Sequence, residues 1–340
     1  MAILNILRSN WFIIGIVLVI ILAKFEPGIG SKGGILKPEI TVKYFAVFII
    51  FFNSGLSLKT EEFTKAIFQV KIHIFIQGFT FIIFPLLMQT MAILLSPGPF
   101  DRHLIEGLKV LGCMPPPVSS AVILTKAAVG NEAAAIFNSA FGSFLGIFMT
   151  PSLILMVVGS QADVPITTII VQLCLTVVVP LVTGQVVRHF VRVWLDRTHI
   201  PFGSIGSGIL LVIIYTTFCD TFSHQDVNLD AINLMSIILF IVIIQSILLT
   251  LIFAVSTWKV TGFQSADCPA LMFCATHKSL TLGIPIIKII FSGDPTMSVI
   301  TIPLLVYHPT QILIGSLIVP FLRGWLLTQR KHRNSITRNV

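Results

Sequence analysis

The sequence contains a proline triplet followed by two serines, a run that could form a binding site inside a membrane. Pro115, Pro116 and Pro117 remove three consecutive backbone donors and bias the preceding residues away from helix. Ser119 and Ser120 supply hydroxyl groups that can cap a helix or bind a ligand. In hydrocarbon, the freed carbonyl groups must find partners inside the protein. The run predicts two half-helices with an unwound middle, and a kinked continuous helix is the alternative.

A second run places four polar residues, Thr276, His277, Lys278 and Ser279, between apolar stretches. No helix face can hide four consecutive polar side chains from lipid, so a second break is predicted here. A charge at membrane depth is costly and indicates a functional site. Two alternatives stay open. Lys278 could lie near an interface and extend its ammonium group to water, and His277 could be a packing residue with a satisfied hydrogen bond.

The segment after the proline run adds Asn138 and Ser139, one to two turns from its start. An amide inside a helical bundle needs a polar partner there. The expected partners of Lys278 are carbonyl groups freed at the two breaks, Ser119, Asn138 or a substrate anion. The candidate substrate- or ion-binding residues are therefore Pro115, Pro116, Pro117, Ser119, Ser120, Asn138, Ser139, Thr276, His277, Lys278 and Ser279. Interhelical hydrogen bonds are expected instead for Asn53, Ser54, Gln77, Thr80 and Gln245. No motif of a metalloprotease, a nucleotide-binding loop or a serine hydrolase is present, so neither an enzyme nor a metal site is predicted.

The composition indicates the kind of protein that must position these residues. Only 11% of the 340 residues are charged, whereas a soluble domain carries about 25%. Apolar residues make up 55%, and the mean hydropathy is +0.96. These values exclude a soluble globular enzyme and a disordered chain. A net charge of +8 spread over so apolar a chain also excludes a nucleic-acid-binding protein. The sequence predicts an all-α polytopic membrane protein.

Ten apolar segments are long enough, or nearly so, to cross a bilayer, which takes about 20 residues. The predicted segments are 11–25, 38–57, 67–95, 104–128, 131–158, 164–190, 203–221, 230–256, 266–291 and 298–326. The residues that follow, Gln329–Val340, are polar and basic and are expected to fray.

The basic residues predict the orientation of the segments. Of the 22 Lys and Arg residues, fourteen fall on the side that holds both termini, seven on the other side, and Lys278 lies within a segment. The loop between segments 7 and 8 is acidic and has no Lys or Arg, in agreement with this asymmetry. Both termini are therefore predicted to be cytosolic.

Ten segments divide into two halves of five, and because five is odd, a duplicated half would insert with inverted topology. Segments 5 and 10 share a weak pattern: a polar cluster, then small residues, then a proline. The cluster in segment 10 is His308-Pro309-Thr310-Gln311. We therefore expect residues 1–158 to form a first five-helix repeat, 159–326 a second, inverted repeat, and 327–340 a basic cytosolic tail.

The residues at these positions resemble the sodium/bile acid cotransporter family, solute carrier family 10, over essentially the whole chain. The stretches that carry the resemblance are 37–42, 51–60, 112–146, 215–222 and 276–285. The resemblance implies ten helices in an inverted 5+5 repeat, divided into a core and a panel domain. Broken helices 4 and 9 would cross in the core.

The resemblance also implies where ions would bind. Sodium-coupled relatives hold one ion with the helix 4 crossover, helix 5 and a helix 9 carboxylate. Ser119, Ser120 and Ser139 match the first two elements, whereas Ala135 replaces a hydroxyl residue. The acidic and amide ligands of helix 9 have no counterpart, and that stretch contains Phe273, Cys274, His277 and Lys278 instead. No cofactor is predicted, and sodium coupling is expected to be altered or lost, with Lys278 in place of one coupling cation.

The function implied by the resemblance is that of an orphan secondary transporter for a small organic anion. Protons are the alternative coupling ion, because a desolvated lysine can titrate near neutrality. The implied location is the Golgi, the endoplasmic reticulum or the plasma membrane. The implied roles are in calcium homeostasis and in glycosaminoglycan and glycoprotein trafficking for extracellular matrix and mineralisation. A non-transporting membrane regulator of calcium entry or secretory traffic, acting through a protein partner, is the alternative.

Overall fold

The computed structural model describes residues 11–57, 68–98, 100–117, 120–158, 171, 174–198, 200–223, 231–291, 293–294 and 296–338. Within these ranges the chain forms helices, turns and irregular connections, with no strand. The helices are α1 (Trp11–Phe25), α2 (Pro27–Gly30), α3 (Pro38–Ile40, π-helical Thr41–Ala46, Val47–Ser57), α4 (Val70–Gly78, π-helical Phe79–Ile83, Phe84–Leu95), α5 (Arg102–Gly112), α6 (Ser120–Ala127), α7 (Glu132–Val158), α8 (π-helical Cys174–Val178, Val179–Thr198), α9 (Phe202–Ser223), α10 (Ala231–Thr257), α11 (Cys268–Thr276), α12 (Leu280–Ile290) and α13 (Met297–Arg338).

Several of these helices are long and apolar enough to cross a membrane. Five such stretches occur among the described residues, namely Val70–Leu95, Glu132–Val158, Ile232–Thr257, Ser265–Ile290 and Met297–Lys331. Two shorter apolar helical stretches are Ile14–Phe25 and Ser204–Cys219. The chain is therefore a helical, multi-pass membrane protein. The full count of ten spans and their inverted repeat stay predictions, and part of the predicted segment 164–190 lies outside the described residues.

The last helix is longer than hydropathy indicates. The tenth segment was expected to end at 326 and to be followed by a frayed tail, but α13 continues to Arg338. The expectation of a frayed tail is therefore wrong for residues 329–338. Leu, Gln, Arg and Lys, which are good helix formers, continue the helix after its apolar part, and basic side chains are favourable near a helix C-terminus.

The described residues divide into two compact units, each of which takes helices from both halves of the chain. Unit one comprises the described parts of Met1–Lys59, Ser160–Asp230 and Thr281–Thr301, and unit two the described parts of Thr60–Gly159, Ala231–Leu280 and Ile302–Val340. The two compact units are defined by contacts between helices, whereas the two predicted five-helix repeats are halves of the sequence that divide at residue 158. The compact units therefore do not test the predicted repeats.

Unit one is held together by close helix contacts between α3 and α8. A Cβ atom at Gly55 or at Gly184 would overlap backbone atoms of the facing helix, so glycine permits the approach. Gln185 and Arg188 then donate side-chain hydrogen bonds to the carbonyl groups of Gly55 and Leu56, at 2.5 and 2.6 Å. These bonds occupy carbonyl groups in the last described turn of α3.

Unit two has α11 at its centre. Every residue of α11 is buried, and the helix packs against α4, α6, α7 and α10. This helix carries Thr276 at its last position, so the polar run that follows it begins in the interior of the unit. All the candidate site residues that the structure describes belong to unit two.

Candidate functional site: two joined helix breaks

The first break separates α5 from α6. Helix α5 ends at Gly112, the chain from Cys113 through Pro117 is not helical, and α6 begins at Ser120. All residues from Cys113 to Pro117 are buried. Ser119 lies outside the described residues. The fourth segment is therefore two half-helices, as the prolines predict, and not one kinked helix.

Helix α7 provides the space and some of the donors for this break. A Cβ atom at Gly142 would lie 2.5 Å from Pro116 Cγ, and one at Gly146 would overlap Pro115, so only glycine allows the prolines to lie against α7. Two hydroxyl groups of α7 donate to carbonyl groups of the break, Ser143 to Pro116 at 3.0 Å and Thr150 to Cys113 at 2.8 Å. The small-residue face of α7 is thus the wall of the first break.

The second break separates α11 from α12. Helix α11 ends at Thr276, residues 277–279 are not helical, and α12 begins at Leu280. One amide side chain, Gln311 of α13, accepts from Lys278 N at 2.7 Å and donates to Lys278 O at 2.9 Å. Ser279 N donates to Pro115 O at 2.8 Å, which joins the two breaks directly. Main-chain groups that lose their helical partners are therefore matched within unit two.

The side chain of Lys278 lies at the meeting point of the two breaks and is 0% exposed. Its Nζ atom donates to the carbonyl groups of Met114 at 2.9 Å, Gly112 at 3.3 Å and Thr80 at 3.3 Å. An ammonium group has three donors, so this arrangement can use all of them. Nζ also lies 4.0 Å from the ring centroid of Phe84. The alternative of a lysine reaching an interface is therefore wrong.

No described carboxylate pairs with Lys278, so its charge is balanced by dipoles. The carbonyl group of Gly112 is at the end of α5, that of Met114 lies in the first break, and that of Thr80 belongs to the π-helical stretch of α4. The hydrogen-bonding pattern there is widened, and Pro85, five residues after Thr80, has no N–H to donate. The hydroxyl of Thr80, for which an interhelical hydrogen bond was expected, has no partner among the described residues. Thr80 instead contributes its main-chain carbonyl oxygen, which accepts a hydrogen bond from Lys278 Nζ.

The candidate residues on α7 have polar partners on α4 and α11. Ser139 Oγ lies 3.6 Å from Cys274 Sγ of α11. Asn138 Oδ1 lies 3.1 Å from His73 Nδ1 and accepts a hydrogen bond from Gln77 Nε2 at 3.3 Å. Asn138 was expected among the partners of Lys278, but it is satisfied by α4. The interhelical bond expected of Gln77 is confirmed.

Thr276 is fixed by its main chain. Tyr307 of α13 donates its hydroxyl proton toward Thr276 O at 2.7 Å and makes a second, short contact with Gln245 Oε1 of α10. The interhelical bond expected of Gln245 is therefore confirmed. Because Thr276 is the last helical residue of α11, the pair of Tyr307 and Gln245 holds the position at which the second break starts.

Two candidate side chains have unmatched polar atoms. His277 is fully buried, and neither of its ring nitrogens has a hydrogen-bond partner among the described residues. The same holds for the hydroxyl of Ser120, the first residue of α6. The imidazole of His277 lies beside Phe273, and its Cε1 atom would be 3.5 Å from a Cβ atom at Gly315 of α13. The alternative of a packing histidine with a satisfied hydrogen bond does not fit these atoms.

The sequence identified the breaks but missed several partners. The structure brings Pro115, Lys278 and Ser279 together, places Pro116 and Pro117 in the first break, and leaves Ser119 undescribed. The missed partners are His73, Phe84, Gln311 and Thr80, whose main-chain carbonyl oxygen accepts a hydrogen bond from Lys278 Nζ. A signal existed for Gln311, which ends the polar cluster of segment 10. No group of three or more metal-ligating side chains occurs within the described ranges.

Comparisons with known proteins identify a family of membrane transporters. Residues 10–324 match the model of the SBF-like CPA transporter family. The chain is 57% identical over 331 residues to Sodium/bile acid cotransporter 7-B of Xenopus laevis, covering 97% of this chain and 96% of that protein. It is 55% identical over 331 residues to Sodium/bile acid cotransporter 7 of Rattus norvegicus, covering 97% of both chains. An uncharacterized protein of Pseudomonas aeruginosa is 25% identical over 307 residues, covering 89% and 90%.

The family model covers nearly all of the chain, and the similarity to the two cotransporters is high over nearly their full lengths. A family of transporters accounts for helices broken in the interior of a membrane protein and for a buried charge at their meeting point. The chain belongs to the SBF-like CPA transporter family, and it is a membrane protein of a transporter family and not an enzyme.

Proposed function

We propose that the chain is a secondary transporter for a small organic anion, in which the ammonium group of Lys278 replaces a coupling cation. One observation carries the proposal: Lys278 Nζ donates to three backbone carbonyl groups in the interior of unit two, and no described carboxylate neutralises it. Carbonyl oxygens are ligands that hard metal cations accept in proteins. Here the chain supplies its own cation to them.

Electrostatics argue against a sodium ion at the same carbonyl groups. Two unit charges about 4 Å apart repel by about 4 kcal/mol at an effective dielectric constant of 20. A charged Lys278 and a sodium ion would therefore compete for the carbonyl groups of Gly112 and Met114. We infer that sodium is not needed at this position. A proton that leaves and returns to Lys278 is the alternative source of coupling.

An anionic solute fits the remaining groups of the site. Lys278 contributes a positive charge, and α6 begins beside the break, so its N-terminal dipole favours an anion. The unmatched hydroxyl of Ser120 and one of the two unmatched ring nitrogens of an uncharged His277 can act as hydrogen-bond donors. These groups support a small anion, such as a carboxylate or sulfate ester, as the solute class.

The proposal includes the arrangement in the membrane. Ten spans in an inverted 5+5 repeat, with both termini in the cytosol, are supported by the ten apolar segments and by the fourteen-to-seven division of basic residues. A reporter fused after Val340 is expected to be cytosolic, and a lumenal or extracellular signal would reject this topology. The Golgi, endoplasmic reticulum or plasma membrane location, and the links to calcium and matrix secretion, are supported by the family resemblance alone.

The experiment that tests this function uses purified protein in proteoliposomes. A panel of organic anions is screened by thermal stabilisation, since a ligand that binds the native state raises its unfolding free energy. Uptake of any stabilising anion is then measured with sodium gradients, with proton gradients and without either. We expect uptake that does not require sodium and that is lost in Lys278→Met. Sodium-requiring uptake that is unchanged in Lys278→Met would reject the proposal.

The same experiment identifies the other candidate function. A folded protein that no anion stabilises, and that moves none of them in proteoliposomes, would favour the non-transporting regulator of calcium entry or secretory traffic.

A further inference from the structure

Helix α13, the last described helix, extends beyond its apolar part and becomes strongly basic. After Leu327, α13 continues to Arg338, which adds about 16 Å of helix at about 1.5 Å per residue. We define the basic tail by its five charged residues, Arg323, Arg330, Lys331, Arg333 and Arg338. The sequence has no Asp or Glu after Asp294. No acidic side chain within the same segment therefore balances the positive charge of the basic tail.

The start of the basic tail lies at the end of the stretch of α13 that is long and apolar enough to cross a membrane. Trp325 contacts Phe253 of α10 edge-on, with ring centroids 5.3 Å apart, and is the last aromatic residue of the helix. Tryptophan is enriched where a transmembrane helix leaves the hydrocarbon. Arg330 follows a little more than one turn later, and Arg323 lies two turns before Arg330 on the same face. These basic residues therefore flank the boundary between hydrocarbon and headgroups.

One contact fixes the tail to unit two and leaves most of its hydrogen-bonding capacity unused. Arg330 donates from one guanidinium nitrogen to the carbonyl group of Val129 at 3.0 Å. Arg323, Arg330 and Lys331 are exposed, and none of them pairs with a described carboxylate. The acidic residue nearest in sequence to Val129, Glu132, is already paired with Lys126 at 2.8 Å. The exposed charges of Arg323, Arg330 and Lys331 are thus available to an external anion.

The contact also shows that the base of the tail is held in place. Val129 has a backbone φ of 60° at the end of α6, a conformation that a β-branched residue rarely adopts. Val129 N donates to Lys126 O and Gly130 N donates to Thr125 O, both at 2.9 Å, in the pattern of a Schellman cap. The carbonyl group that Arg330 contacts is therefore part of a defined turn. Arg330 is anchored there while its other N–H groups stay exposed.

We propose that the basic tail is a docking surface for anionic phospholipid headgroups of the leaflet at which α13 emerges. A cluster of basic residues directly after a transmembrane helix is attracted to phosphatidylserine and to phosphoinositides. Guanidinium groups match phosphate oxygens in pairs, which favours arginine for this contact. The positive charge of the basic tail, and its position directly after an apolar helix, favour lipid headgroups as the ligand of this surface. The proposal is independent of the transported solute.

The test measures lipid binding to the full-length protein in neutral detergent micelles. The dissociation constants of dioctanoyl phosphatidylserine and dioctanoyl phosphatidylcholine are determined at low and at high salt. The tail variant combines Lys331→Gln, Arg333→Gln and Arg338→Gln, which spares the Arg330 contact. The matched control combines Lys24→Gln, Arg102→Gln and Lys109→Gln, which removes the same charge from the other predicted membrane side. Unfolding temperatures in neutral detergent verify that both variants fold.

We expect the wild-type protein to prefer phosphatidylserine by at least about tenfold at low salt, and high salt should weaken that preference. The tail variant should lose the preference, and the control variant should keep it. Equal binding of phosphatidylserine by the tail variant and the wild type would overturn the proposal. Equal tail-dependent binding of soluble inorganic polyphosphate would overturn it in favour of a soluble polyanion.

Discussion

The two helix breaks of unit two are built from opposite kinds of chemistry. The first, Cys113–Pro117, removes donors, because three of its residues are prolines, and it exposes carbonyl groups. The second, 277–279, adds donors, because the main-chain N–H groups of Lys278 and Ser279 and the ammonium group of Lys278 all point to acceptors. One break supplies acceptors and the other supplies donors.

This difference explains how a broken backbone survives in the interior of a membrane protein. Ser279 N reaches Pro115 O, and Lys278 Nζ reaches Gly112 O and Met114 O. Neither break could be satisfied in this way alone, because each lacks what the other provides. The positive charge beside these carbonyl groups is therefore part of the chain.

The largest expected effect of breaking this complementarity comes from Lys278→Met. Methionine keeps most of the volume but removes the donors, so the carbonyl groups of Thr80, Gly112 and Met114 lose their partner. We expect a loss of about 3 kcal/mol of stability, since each buried unsatisfied group costs about 1–3 kcal/mol. Thermal unfolding in detergent measures it. Lys126→Met, which removes an exposed ion pair to Glu132, is the control and should cost less than about 1 kcal/mol. Equal costs would contradict the account.

A smaller effect is expected from the residue that holds the second break. Gln311→Leu removes both hydrogen bonds to the main chain of Lys278. We expect a loss of about 2 kcal/mol in thermal unfolding, because a buried donor and a buried acceptor are left unmatched. Thr310→Val is the control, since its hydroxyl bonds only to Val306 O within the same helix. A Gln311→Leu protein as stable as the wild type would show that the second break needs no support from α13.

The first break is tested through the wall that it packs against. Gly146→Ala places a methyl group where it overlaps Pro115, and overpacking of this kind costs about 1–3 kcal/mol. Gly324→Ala is the matched control in a helix, because nothing lies within 4 Å of its Cβ position. The control should be neutral or slightly stabilised, as alanine is the better helix former. If both variants unfold alike, then α7 does not fix the prolines.

The smallest change in stability is expected from substituting His277. This substitution should affect anion binding and leave the stability of the fold nearly unchanged. Both ring nitrogens are unmatched, so His277→Leu gives up no hydrogen bond within the described part of the protein. We expect a change within about 1 kcal/mol, together with a loss of anion-induced stabilisation. A large destabilisation without any change in anion binding would instead give His277 a purely structural role.

The sequence located both breaks because their causes are local. Three prolines and a run of four polar residues can be recognised without knowing the fold. Carbonyl groups at the first break were expected as partners of Lys278, and those of Gly112 and Met114 are found there. The third partner, Thr80, could not be found in this way, since it is distant in sequence and contributes a main-chain atom. A carbonyl group carries no residue-specific signal, and the π-helical stretch that presents Thr80 has only Pro85 as a hint.

Two further differences have physical causes of the same kind. Hydropathy placed the end of segment 10 at 326, but a helix can continue as long as its residues favour helix, and α13 ends at Arg338. Asn138 was expected near Lys278, but an amide takes whichever polar partner the packing offers, and here it is the α4 pair of His73 and Gln77. Both outcomes depend on tertiary structure rather than on residue type.

The central claim, that Lys278 replaces a cation, is tested most directly by sodium-dependent thermal unfolding. The purified wild-type protein and Lys278→Ala are unfolded in sodium chloride and in choline chloride at equal ionic strength. Because a ligand raises the unfolding temperature of the state that it binds, the wild type should show no sodium-specific shift. Lys278→Ala, whose carbonyl groups are open, should be stabilised by sodium. A saturable sodium-specific stabilisation of the wild-type protein would contradict the account.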